Sequence, residues 1–100
     1  MTYQDKVKRA SKIYNAIKGL SAEQSISIVY KEDTYRITAR KGYRAGMSYS
    51  VWRSFSGMNV DRLGKTSMTL YTYDMMSQKT TYRLSLLDCE LIPEKELVAA

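Results

Sequence analysis

The densest run of chemically able side chains is Arg40-Lys41-Gly42-Tyr43-Arg44, three cations and one aromatic ring on a stretch closed by a second glycine at Gly46. On either side of it, Arg36, Arg40, Trp52, Tyr71, Tyr73 and Arg83 fall on one parity of segments that alternate apolar with polar. Arginine forks hold phosphate oxygens in two-point geometry. Flat aromatic rings stack on unpaired bases. Interleaved on one face of a sheet, the two residue types form the surface that single-stranded nucleic-acid binders use. The same types also furnish an ordinary solvated antiparallel face, because they suit a half-exposed pleated surface. The Gly42 to Gly46 stretch lacks the length and the Gly-Lys-Ser/Thr ending of a phosphate-binding P-loop.

Other chemistry is excluded by composition. The chain has no histidine, which removes Ser-His-Asp and Cys-His catalysis and nearly all zinc sites. Its one cysteine, Cys89, sits between Asp88 and Glu90. Two neighbouring carboxylates disfavour a thiolate, so Cys89 is a poor nucleophile. The remaining acids stand beside lysine or arginine, or in turns and the tail, and form no acid-base couple or two-metal site. The expectation is therefore a non-enzymatic protein with no cofactor and no metal.

The elements that must position the cations and rings follow from periodicity. Tyr3, Val7, Ala10, Tyr14 and Ile17 recur at steps of four and three, the stripe of an amphipathic helix over residues 1–20, with Ile13 and Leu20 widening it. Thr2 suits the N-cap with Asp5 at N3, Asp5 can pair with Arg9 one turn on, and Gly19 suits a left-handed C′ position. Strands are expected at Ser25–Lys31, Thr34–Lys41, Met47–Ser54, Thr66–Asp74 and Lys79–Leu87. Phe55–Lys65 is read as a long connection in which Met58, Val60 and Leu63 tuck against the core. Pro93 suits the first position of a short helix, Glu94–Ala99. Short connections favour an antiparallel meander. A helix with one apolar stripe must bury it, and only the sheet is available to receive it. The expected fold is α+β: an N-terminal helix on a five-stranded antiparallel sheet over residues 25–87, then an acidic tail or short helix over 88–100, all one domain.

Charge points to the partner. The net charge is +6. Lys6, Lys8, Arg9, Lys12 and Lys18 outweigh Asp5 in the helix, and residues 31–65 carry eight cations against three acids. Residues 66–100 are net acidic. Such asymmetry draws polyanions to one region of the surface. No apolar run approaches the roughly 18 residues of a membrane span, and no signal peptide is evident. A single cysteine fits a reducing compartment, the cytoplasm.

The leading expectation is a small protein contacting nucleic acid or a nucleoprotein complex through Arg36, Arg40, Lys41, Tyr43, Arg44, Trp52, Tyr71, Tyr73 and Arg83. One alternative is a protein-binding inhibitor or adaptor acting on a nucleic-acid enzyme, of the phage counter-defence type. In that case the same residues anchor a protein interface. Another is a homo-oligomer, such as a dimer, joined through an edge strand or the Trp52 face.

Overall fold

The computed structural model describes residues 1–42 and 46–92. Helix α1 (Tyr3–Lys18) opens with the expected capping box: the Thr2 hydroxyl accepts from the Asp5 backbone N–H, and the Asp5 carboxylate accepts from the Thr2 backbone N–H. Ala10, Ile13 and Ile17 carry its buried face. Two local expectations are corrected. Gly19 closes the helix with φ −82°, so no left-handed turn is made there. Arg9 does not turn to Asp5: its Nη2 donates to the Leu87 carbonyl at 2.8 Å, and its Nη1 lies 3.5 Å from the Glu90 carboxylate.

The sheet has seven strands, not five: β1 (Ser25–Tyr30), β2 (Asp33–Lys41), β3 (Met47–Arg53), β4 (Ser56–Leu63), β5 (Ser67–Tyr73), β6 (Lys79–Ser85) and β7 (Cys89–Leu91). Six form an antiparallel meander. β7 returns after a single 3-10 turn (Leu86–Asp88) to pair antiparallel with β1, giving the order β6-β5-β4-β3-β2-β1-β7. The sheet curls into a half-barrel.

Two features account for the difference in strand count. The stretch read as a long connection is β4, joined to β3 by a tight hairpin at Ser54-Phe55. Its pairing with β5 shifts between Val60 and Arg62, so Asp61 forms a bulge. An extra residue reverses the alternation midway and bends the strand. β7 is too short for any alternation to be visible. Among the described residues no helix follows β7; the expected Glu94–Ala99 helix falls outside them.

The core lies in the concavity. Ala10, Ile13 and Ile17 of α1 join Ile28, Ile37, Val51, Met68, Leu70, Leu84 and Leu86 in one buried cluster. Tyr14 packs against it partly buried, whereas Tyr3, at the start of the expected stripe, stays exposed. Cys89 is buried in the same cluster. Burial, and after it the Asp88 charge, push its thiol from 9.0 up to about 12, against a smaller opposing pull from Arg9. Occupying the concave side with a helix leaves the convex side of the sheet as a separate surface.

Candidate nucleic-acid interface

The register of the sheet, read strand by strand, gives the convex face its rows. Arg36 of β2 stands directly opposite Trp52 of β3, and Trp52 opposite Gly57 of β4. The next row runs Thr38, Ser50, Asn59, Tyr71, Thr81. Arg40 faces Ser48. Because the bulge reverses parity at Asp61, Arg62 comes to this face opposite Thr69, which in turn faces Arg83.

Trp52 is the centre of the arrangement. It is 46 % exposed, and the benzo end of its indole reaches over Gly57, where a Cβ would meet Cζ2 and Cη2 at 3.0 Å. The absence of a side chain at Gly57 is what lets the ring settle across the neighbouring strand. Three shallow hollows meet at Trp52. One is bordered by Arg36, one by Arg40 and one by both. Arg40 is held in place from two sides: its Nε donates to the Ser50 hydroxyl at 3.3 Å, and its Nη1 stands 3.6 Å from Glu23. That ion pair is exposed and leaves guanidinium donors facing solvent.

The tyrosines form a second group. Tyr71 and Tyr73 meet edge to face with ring centroids 5.8 Å apart. Lys79 places its ammonium 4.9 Å from the centre of the Tyr71 ring. One face of Tyr71 is thereby occupied, and Tyr73, 57 % exposed, is the freer ring.

The expected residues therefore divide. Arg36, Arg40 and Trp52 are brought together. Tyr71, Tyr73 and Arg83 share their face, with Arg83 three strands from Trp52, about 14 Å along the sheet. Lys41 pairs with Met47 on the opposite parity, and Tyr43 and Arg44 lie outside the described residues. Gly57, Arg62 and Lys79 belong to the surface and were not singled out by sequence. The only signal for the first two was the interrupted Met58, Val60, Leu63 pattern of β4.

Among the described residues no cluster of His, Cys, Asp or Glu could hold a metal ion, and no helix is long and apolar enough to cross a membrane. Comparison of the chain with protein families, curated proteins and solved structures returns no match.

Proposed function

We propose that the protein is a non-enzymatic binding module of the cytoplasm whose convex face takes single-stranded nucleic acid. Trp52 is the stacking platform, and Arg36 and Arg40 contact the phosphates on either side of it. The observation that carries this reading is the half-exposed Trp52 at the meeting point of three hollows edged by those two arginines. A large ring left open between cations is suited to a base with phosphates flanking it. Tyr73, Lys79, Arg62 and Arg83 extend the path toward β6 on the same face.

The test is fluorescence anisotropy of short labelled DNA and RNA single strands. Trp52→Ala should weaken binding by about 1–3 kcal/mol. Arg36→Ala should weaken it too, whereas Lys12→Ala, on the exposed side of α1, should not. Absence of binding at low salt decides against the reading.

A second reading is favoured by one observation. Phe55 and Met75, at the tips of the β3–β4 and β5–β6 hairpins, are fully exposed. Aromatic and methionine side chains of this kind anchor protein interfaces. In this reading the protein is an inhibitor or adaptor of a nucleic-acid enzyme. Loss of partner binding on changing Phe55 to Ser, with oligonucleotide binding absent, would select it.

A further inference from the structure

The concave side of the sheet holds a cavity of about 430 Å³ that α1 does not line. This volume falls within the roughly 300–1,000 Å³ of small-molecule sites. Its floor is buried and apolar, with Tyr35, Leu70 and Leu84; Met58 and Tyr30 wall it half-buried. Three exposed cations line it, Lys31, Arg53 and Arg83; Arg83 has the parity of the convex face, and Lys31 and Arg53 stand at the rim. No carboxylate is among the described residues that line it. Arg53 is engaged by Asp33 at a long 3.8 Å, and Lys31 stands 5.3 Å from the Tyr30 ring. Both keep hydrogen-bond donors free for another anion.

Tyr35 supplies an independent indication. The residue is 7 % exposed, yet its hydroxyl makes no hydrogen bond to any described residue. It is not sealed away, since Arg9 Nε is the fully buried side-chain polar atom without a partner among those residues. The hydroxyl therefore reaches open space, and the space beside it is the cavity that Tyr35 lines.

We infer that the cavity is a binding site for a small amphipathic anion, with an apolar or aromatic body against Met58 and Leu70 and a carboxylate- or sulfonate-like head at Lys31 and Arg53. Tyr35 supplies a hydrogen bond from within. The site lies on the opposite side of the sheet from Trp52, shares Gly57 and Arg83 with the convex surface, and does not depend on nucleic-acid binding.

The experiment titrates the whole protein with naphthalene sulfonate and, separately, dodecanoate. It is read from the methionine methyl resonances by NMR. Met58 should shift saturably, with Met75 and Met76 unmoved. Changing Lys31 and Arg53 together to Gln should weaken both anions about tenfold and leave neutral naphthalene methanol unaffected. Met58→Trp should fill the cavity and abolish binding. Trp52→Ala should bind both anions normally, which keeps this result separate from the fate of the convex face. Three outcomes overturn the inference. One is no saturable shift at Met58 with either anion. Another is a response confined to Met75 and Met76 at the hairpin tip. The third is a Met58 shift that grows with protein concentration alone and vanishes in Phe55→Ser, which would make a second copy the occupant.

Discussion

Gly57 determines where the Trp52 ring can lie. An added methyl would sit 3.0 Å from two ring carbons, so Gly57→Ala should lift the indole from the sheet. Because the obstacle is the far end of an exposed side chain, stability should change by less than about 1 kcal/mol. The emission of the only tryptophan should move, and oligonucleotide affinity should fall. Unchanged emission would mean that the ring does not rest there. Cys89 gives a prediction of a different kind. With its thiol held up at about 12 by burial, alkylating reagents should leave it untouched in the folded protein and modify it fully on unfolding. The sign of its pH effect follows: the folded state binds this proton more tightly than the unfolded state does. The contribution to stability is complete below 9.0 and is lost as pH rises toward 12. A chemical denaturation series at alkaline pH, compared with Cys89→Ala, measures it.

At the scale of elements, α1 was legible because its signals are local. The capping box needs only Thr2 and Asp5, and Thr2→Ala should cost about 0.5–2 kcal/mol by thermal unfolding. Periodicity also gave the buried face, but the stripe is centred on Ile13 and not on Tyr3, which lies in the first turn and remains exposed. Ile13→Ala should cost about 2–5 kcal/mol. β4 was not legible, since Asp61 puts Val60 and Leu63 out of the two-residue phase that marks a strand. The β1–β2 turn was misplaced by one residue for a related reason. Lys31 and Glu32 take φ of 49° and 70° without glycine, so the residues that make the turn do not advertise it. Glu32→Gly should relieve that strain and stabilise the protein by about 1 kcal/mol; a loss of stability would show that the turn relies on the glutamate itself.

Across the whole molecule, the curled sheet separates two environments that alternation alone could only label. Parity placed Arg36, Arg40, Trp52 and Arg83 on one face, but it carries no lateral distance. Only the strand order shows that the first three adjoin while Arg83 stands at the far edge. Nor could it show that Lys79 covers one face of Tyr71, a contact between neighbouring strands. The cavity was invisible for the same reason. Tyr35 and Tyr82 fall on the apolar parity of their expected strands and Met58 in the stretch read as a connection, and the space between them exists only because the sheet curves where α1 does not fill it.

The most direct test of the convex face as a single-strand interface is quenching of Trp52 fluorescence by an oligonucleotide across a series of salt concentrations. Saturable quenching is expected, with the logarithm of the binding constant falling linearly with the logarithm of salt. Arg36→Ala and Arg40→Ala should each make that slope shallower by about 0.7, the value for one single-strand phosphate contact, while Lys12→Ala leaves it unchanged. No quenching at low salt, or a slope that neither arginine alters, would contradict the account.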